Sequence, residues 1–461
     1  MGAESLGLYQ ITLSVVGVLV TLTASGIPIT VSRLMMKAKA IKDKKAENQV
    51  ISAGIFTSLI LSLPLTILLY LLRSKLTFIF TDQRCYDILL VILPSIVLTS
   101  VYSVIRGSFW GNKKFFTYSL IELIEEISML VFGVFLVSKM HSPTDGALKA
   151  GYAIFISYVI SFLLSTTVFI HQGGKLANPF KQLPPLLESS IPITVTRTAT
   201  SLISTLIAII LPARLIAFGA TNTQALSLYG ELSGMAFPLL FIPSTLIGSI
   251  ALVLVPELSE NFYKKQFKLL EDKISNAIKC SILIACFICP IFIICGEEIG
   301  LLIYSNSNAG KMLSLSSIIM PPMCITLITT SILNSLNQEK KTLLIYFIGA
   351  GLMLTCVWFL PKICSVNALI WGHLASYLIT AFLNLVLLEK LFYKNLCYKK
   401  QVAFCLFSAL ISTLFGWQLK NIFHFKIHGI WLILSITLFV LIYNFIVMKV
   451  LSVFDIFNEK K

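Results

Sequence analysis

The 461-residue sequence has few charged residues: Asp, Glu, Lys and Arg together make up 12% of it, whereas 57% of its residues are hydrophobic. A soluble domain does not need so much apolar surface. Apolar runs of about 20 residues, the length that crosses about 30 Å of hydrocarbon, recur along the whole chain. The stretches between these runs are too short for a soluble domain. The sequence therefore predicts an all-α, polytopic membrane protein.

The sequence also lacks the residue patterns of metal sites and of nucleotide hydrolysis. It has five histidines, and neither His171 nor His373 has a cysteine or carboxylate at metal-ligand spacing. Cys286 and Cys289 form a CxxC inside an apolar run, where small core residues are the better interpretation. No phosphate-binding loop is present. We expect no metal and no cofactor, and an ion gradient, the membrane potential or mass action as the energy source.

The apolar runs predict thirteen membrane helices and no cleavable signal peptide. Their approximate bounds are residues 10–32, 49–72, 85–107, 116–138, 149–171, 189–212, 231–256, 275–297, 313–334, 342–361, 367–389, 402–420 and 429–449.

Basic residues, which give the chain a net charge of +15, are distributed unevenly among the loops. Together with the adjoining helix ends, the loops after odd-numbered helices carry 24 Lys and Arg residues, against 10 for those after even-numbered helices. Positive residues concentrate on the cytoplasmic side of membrane proteins. The odd-numbered loops are therefore predicted to be cytoplasmic, and the excess of positive charge indicates membrane orientation rather than nucleic-acid binding.

The chain repeats itself weakly. Residues 94–114 (PSIVLTSVYSVIRGSFWGNKK) align without gaps on residues 321–341 (PPMCITLITTSILNSLNQEKK). The residues before predicted helix 1 likewise resemble those before helix 7. A parallel duplication of six plus six helices follows only if one helix is missing in front of helix 1.

We predict these segments: 1–171, an N-terminal lobe without its first helix; 172–188, a cytoplasmic linker; 189–393, a C-terminal lobe; 394–461, two further helices and a tail.

Several segments together resemble a known family. They are GAESLGLYQ, SGIPITVSRL, RGSFWGN, SSIPITVTRTATSLISTLIAIILPARL and LYGELSGMAFPLLFIPSTL, with LVPELSE following. These segments resemble the stage V sporulation protein B group of polysaccharide flippases, in the multidrug/oligosaccharidyl-lipid/polysaccharide exporter superfamily that also contains the lipid II flippases. The resemblance implies two six-helix lobes around a central cavity, alternating access, and a lipid-linked sugar diphosphate as cargo. We expect the partners to be this cargo, membrane lipid and a proton or sodium ion, and the chain to be a monomer.

Three arginines are candidates for contact with a diphosphate. Arg197 lies about six residues, or about 9 Å, inside its predicted helix, where it either snorkels to the interface or meets an anion in a cavity. Arg33 ends the segment SGIPITVSR, which is nearly identical to SSIPITVTR at residues 189–197. Arg33 and Arg106 are predicted to close their helices, so interfacial anchoring is an alternative role for both.

Three carboxylates form the most unusual group in the apolar runs. Glu122, Glu125 and Glu126 are spaced i, i+3, i+4 and so share one helix face. A carboxylate at this depth must be protonated, paired or exposed to water. An ion pair with an arginine, a proton or sodium coupling site, and a structural network between helices remain open.

Four functions are compatible with these features. A flippase for a lipid-linked diphosphate fits the basic residues, whereas a cation-coupled multidrug exporter of the same superfamily would favour an acidic, aromatic-lined cavity. A membrane glycosyltransferase would need catalytic acids on a sizeable loop, and the loops here are short, so we expect a transporter and not an enzyme. A non-transporting scaffold is the fourth alternative.

Overall fold

The computed structural model describes residues 2–40, 42–72, 80, 82–336, 338–392, 396–423 and 429–450. Within these ranges the chain is helical and forms no strand, which confirms the predicted all-α fold. Met1 and the tail predicted after residue 450 lie outside the described residues.

Eighteen α-helices are described. They are α1 (Ala3–Ala24), α2 (Ile27–Ala40), α3 (Lys44–Leu71), α4 (Arg84–Gly111), α5 (Phe115–Val137), α6 (Pro143–His171), α7 (Leu183–Ala217), α8 (Asn222–Tyr229), α9 (Phe237–Leu240), α10 (Ile242–Tyr263), α11 (Phe267–Tyr304), α12 (Ser307–Ser316), α13 (Met320–Ser335), α14 (Glu339–Phe359), α15 (Pro361–Cys364), α16 (Ala368–Leu391), α17 (Lys399–Phe423) and α18 (Ile430–Val450). A π-helical segment, Gly230–Ala236, joins α8 to α9.

Most of these helices are long and apolar enough to cross a membrane. Eleven spans meet both criteria within the described residues, and the bent pair Asn222–Leu240 and Ile242–Ala251 would be a twelfth. The 23-residue α5 has the necessary length but contains three glutamates. Each of the thirteen predicted spans coincides with one of these elements. The many large apolar side chains on the surface, including 82% exposed Phe116 on α5, suit contact with lipid. The protein is therefore a multi-pass membrane protein.

The helices cluster into two compact units, Met1–Gly230 and Glu231–Lys461. In the first unit α4 packs against α1, α2, α3 and α6, and α5 packs on α6. Ile27, Val31 and Met35 on α2 are buried against α3 and α4, where Ile105 and Phe109 belong to the same apolar cluster. Apolar residues recur every four positions along α2, so they share one face of the helix, and that face is buried. Helix α7 also packs against α2.

A polar clamp, consisting of Glu4, Asp82, Arg84, Thr144 and Asn222, ties four helix ends of the first unit together. Arg84 pairs with Asp82 and Glu4 at 2.8 Å each. Its Nη1 also donates to Thr144 Oγ1 (3.3 Å), and Asn222 Nδ2 donates to Asp82 Oδ2 (2.7 Å). The clamp therefore fixes the first turns of α1, α4, α6 and α8 to one another.

In the second unit α11 is the central helix, with α10, α12, α13, α17 and α18 packed on it, while α14 packs on α16. Lys420 on α17 pairs with Glu298 on α11 at 2.8 Å. Ser408 Oγ donates to Asn444 Oδ1 (2.8 Å), which joins α17 to α18 through a buried hydrogen bond. Cys286 and Cys289 are buried in α11, as the interpretation of small core residues requires.

Some helix boundaries differ from the prediction. The first predicted helix is interrupted at residues 25–26 and continues as α2 to Ala40, so Arg33 lies inside a helix rather than at its end. Arg106 is likewise internal, because α4 continues to Gly111. The predicted lobes remain a prediction, but α7 groups with the first compact unit because it packs on α1 and α2.

A basic groove between α2 and α7 as the candidate site

The break between α1 and α2 sets the position of α7. Ser25 and Gly26 separate the two helices. A Cβ atom on Gly26 would lie only 2.4 Å from both the carbonyl oxygen of Ser190 and Oγ1 of Thr194. Only glycine allows α7 to approach the chain so closely here. The two nearly identical segments found in the sequence, residues 25–33 and 189–197, therefore pack against each other.

The two segments run in opposite directions. Arg197 Nη1 donates a long hydrogen bond of 3.5 Å to the carbonyl oxygen of Ser25, the first residue of the other segment. At the far end Arg33 lines a hollow together with Ser189, the first residue of the segment that ends at Arg197. Each arginine thus lies beside the beginning of the other segment.

Two adjoining hollows form a groove along this contact. The first, of about 560 Å³, is lined by Arg33, Leu34, Lys37, Pro185, Glu188, Ser189 and Pro192. The second, of about 320 Å³, is lined by Pro192, Ile193, Thr196 and Arg197. Pro192 lines both hollows, so they are neighbours. We call this feature the basic groove.

The charges in the basic groove are not neutralised by neighbours. Arg33, Lys37 and Arg197 are exposed, and none of them lies within 4.0 Å of a carboxylate in the part of the chain that the structure describes. Glu188 is the one acidic side chain that lines it. Three cations and one anion leave a net charge of about +2. An anionic ligand would be attracted to such a groove.

Arg197 lies farther from the start of its helix than predicted. Because α7 begins at Leu183, fourteen residues precede Arg197 in the helix, or about 21 Å of rise. The predicted 9 Å was too short because the segment 183–188, with two prolines and a glutamate, was interpreted as a loop. Proline is tolerated in the first turn of a helix, and Pro184 and Pro185 occupy that turn.

Lys37 and Glu188 are groove residues that the sequence interpretation missed. Lys37 follows Arg33 at i+4, and this spacing places both cations on one face of α2. That signal was present in the sequence. Glu188 directly precedes the repeated segment, and only the packing of α7 against α2 brings it to Arg33.

Arg106 does not line the basic groove. It lies on α4, with its guanidinium carbon 5.3 Å from the ring centroid of Trp110 and 5.8 Å from that of Tyr118. Its Nε is buried and has no hydrogen-bond partner within the described ranges. The structure therefore separates Arg106 from Arg33 and Arg197, and brings it instead to the predicted carboxylates.

The three carboxylates project from α5, and Tyr118 on the same helix connects Glu122 to this arginine. Tyr118 Oη donates a 2.5 Å hydrogen bond to Glu122 Oε1. Glu125 is half-buried, its Oε2 has no hydrogen-bond partner in the described part of the chain, and its charge interacts with that of Arg106. Glu126 is exposed. We call Arg106, Tyr118, Glu122, Glu125 and Glu126 the carboxylate cluster.

Comparison with known proteins places the chain in a family. Residues 1–262 match the family model described as "Polysaccharide biosynthesis protein". The chain belongs to this polysaccharide biosynthesis protein family. Over 322 residues it is 25% identical to stage V sporulation protein B of Bacillus subtilis (strain 168), which confirms the resemblance seen in the motifs. Over 292 residues it is 22% identical to sporulation protein YkvU of the same organism. The alignments cover 67% and 60% of this chain, but only 62% and 63% of those relatives.

Solved structures show that this member of the family has the fold of known transporters. The structure entitled "Lipid II flippase MurJ, inward closed conformation" matches with a TM-score of 0.72 and 17% identity over 97% of this chain and 92% of that one. An inward-facing multidrug resistance MATE family transporter of the MOP superfamily, the exporter superfamily named above, also gives a TM-score of 0.72, with 14% identity over 86% and 93% of the two chains. The fold of this polysaccharide biosynthesis family member is thus the MOP fold.

Proposed function

We propose that this protein is a membrane flippase that moves a lipid-linked sugar diphosphate across the cytoplasmic membrane by alternating access. The observation that carries the proposal is the basic groove, in which Arg33, Lys37 and Arg197 have no carboxylate partner among the residues that the structure describes. The protein acts as a transporter in this proposal and not as an enzyme, and its loops after odd-numbered helices face the cytoplasm.

A diphosphate fits the chemistry of the groove. Guanidinium groups donate paired hydrogen bonds whose geometry matches two phosphate oxygens. Two arginines at separate points of the groove can bind the headgroup in turn as it moves. Lys37 adds a positive charge next to Arg33, and its ammonium group does not require a fixed orientation of the phosphate.

The remaining lining suits an amphiphilic cargo. Leu34, Pro185, Pro192 and Ile193 present apolar surface beside the cations. A sugar diphosphate on a lipid tail is strongly polar at one end and apolar at the other, so such a groove matches the junction between them.

A cation-coupled multidrug exporter is the second candidate function. The carboxylate cluster favours it, because one oxygen of Glu125 has no hydrogen-bond partner among the described residues. Glu122 accepts a hydrogen bond from Tyr118, whose ring packs against that of Trp110. Acidic and aromatic groups together attract organic cations. Arg106 lies in the same cluster, however, and lowers its net negative charge.

Reconstitution of the full chain into phospholipid vesicles distinguishes these functions. One set of vesicles contains a fluorescent lipid-linked sugar diphosphate, whose outward movement is followed by quenching from outside. The other set contains a lipophilic cationic dye. Transport of the lipid-linked diphosphate alone supports the flippase, whereas transport of the dye alone would favour the exporter and contradict the proposal.

A further inference from the structure

A second cavity lies on the other side of α2 from the basic groove. It has a volume of about 220 Å³ and is enclosed by the ends of α2, α3, α4 and α6. Met35 lines it, whereas Arg33 and Lys37 line the groove, so the two sites lie on different faces of one helix. Phe109 and Phe169 contribute apolar surface to the wall. We call this feature the loop cavity.

Polar side chains from three separate loops converge in the loop cavity. Lys44 and Asn48 begin α3, Asn112 and Lys114 lie between α4 and α5, and Gln172 follows α6. These are the loops after predicted helices 1, 3 and 5. The structure thus brings three segments that are more than 50 residues apart in the chain to one end of the first unit.

Most side-chain hydrogen-bond donors in the loop cavity have no acceptor among the described residues. Lys44, Asn48 and Asn112 have side chains without a hydrogen-bond or ion-pair partner among the described residues. Lys114 Nζ donates one hydrogen bond, to Gln172 Oε1 (2.9 Å), which leaves its other N–H groups and the amide nitrogen of Gln172 available.

The balance of charge and donors in the loop cavity selects an anion. Two lysines and three side-chain amides face one carboxylate, that of Glu47. A cation would find a single charged ligand, whereas an anion would find two ammonium groups and up to three amide donors. A volume of about 220 Å³ holds several water molecules at about 30 Å³ each. A phosphate group with some of its water therefore fits.

We propose that the loop cavity binds a phosphate-bearing anion, through Lys44 and Lys114, at a site separate from the basic groove. A lipid headgroup and a soluble phosphate share this chemistry, and the position of the cavity at the ends of membrane helices is open to both. The proposal does not depend on the flippase function, because none of its residues lines the groove.

Binding to the purified full chain in detergent tests this site with two probes. Inorganic phosphate is titrated by calorimetry, and dioctanoyl phosphatidic acid is counted by native mass spectrometry against dioctanoyl phosphatidylcholine. The test variant is Lys44→Gln with Lys114→Gln. The control variant is Lys45→Gln with Lys113→Gln, which removes the same charge from adjacent lysines that do not line the cavity.

We expect the test variant to bind the recognised probe about 100-fold more weakly, since each charge-assisted hydrogen bond lost corresponds to about tenfold in affinity. The control variant should stay within about twofold of the unmodified protein. Binding of phosphatidic acid alone would identify a lipid headgroup, and binding of phosphate would identify a soluble ligand. Equal binding by the two variants, or no binding of either probe, would overturn the proposal.

Discussion

The guanidinium of Arg197 donates to the carbonyl oxygen of Ser25 at 3.5 Å, at the point where α1 ends and before α2 begins. Backbone carbonyls at a helix C-terminus lack intrahelical partners and carry partial negative charge. This contact positions Arg197 but does not neutralise it, because no carboxylate is involved. The arginine is therefore held in place and remains able to bind an anion.

Removing the guanidinium should reduce transport without unfolding the protein. In Arg197→Ala we expect the initial rate of flipping of a lipid-linked sugar diphosphate to fall about 10- to 100-fold. This is the effect expected when one or two charge-assisted hydrogen bonds to the cargo are lost. Arg197→Lys should retain part of the rate because it keeps the charge but loses the paired geometry. Size-exclusion profiles and thermal unfolding in detergent check that both variants fold. A rate in Arg197→Ala equal to that of the unmodified protein would show that Arg197 only anchors its helix.

Glu125 should be the titrating member of the carboxylate cluster if transport is coupled to a cation. A glutamine side chain does not take up a proton and has no negative charge to attract sodium. The transport rate of Glu125→Gln should therefore no longer change when a pH or sodium gradient is imposed across the vesicle membrane. Glu122→Gln is the control, since the carboxylate of Glu122 already accepts a hydrogen bond from Tyr118. If Glu125→Gln keeps a normal gradient response, the cluster is a structural network.

The close contact between α1 and α8 should not tolerate a larger residue at Gly7. A Cβ atom there would lie 2.1 Å from the carbonyl oxygen of Leu226, whereas a Cβ on Gly17 of the same helix would lie 3.6 Å from its nearest neighbour, Ser201 Oγ. We expect Gly7→Ala to lower the free energy of unfolding by about 1–3 kcal/mol, the usual cost of forcing atoms into a packed contact. Gly17→Ala should be neutral or slightly stabilising. Thermal unfolding of the two variants in detergent measures the difference, and equal melting temperatures would contradict the described packing.

The polar clamp should make stability depend on pH in the acidic range. Burial acts to raise the pKa of Asp82, but hydrogen bonds and the charge from Arg84, with a further hydrogen bond from Asn222, outweigh it and hold that pKa below its usual value of 3.8. The clamp therefore contributes its full stability above pH of about 4 and loses it as the pH falls through the lowered pKa of the folded state. Asp82→Asn should cost about 1–3 kcal/mol at neutral pH and progressively less as the pH falls. Unfolding curves at several pH values test this, and a difference that does not change with pH would refute it.

The sequence was sufficient to predict where the membrane spans lie, but not which spans contact one another. Run length alone located the eleven or twelve spans that the described residues form, and also α5, because crossing hydrocarbon requires a minimum number of apolar residues. It could not show the interruption at Ser25 and Gly26, since the apolar run continues through both residues and the close approach of α7 at Gly26 is a contact between distant parts of the chain. For the same reason it could not place Arg106 with Glu125 and away from Arg33. These relationships depend on contacts between residues far apart in the chain.

The repeated segments are the exception. The near identity of residues 25–33 and 189–197 was visible in the sequence and raised Arg33 and Arg197 together as candidates. That the two segments pack against each other in opposite directions was not visible, because a local repeat does not specify its partner. The structure adds Lys37 and Glu188 to the same groove.

The central claim is that the basic groove holds the diphosphate of the cargo. Its most direct test is the flipping rate of a lipid-linked sugar diphosphate in vesicles that contain the double variant Arg33→Ala, Arg197→Ala. Vesicles with Lys181→Ala are the control, in which an exposed cation outside the groove is removed. The account predicts that the double variant transports at the rate of protein-free vesicles while the control transports normally. Normal flipping by the folded double variant would contradict the account.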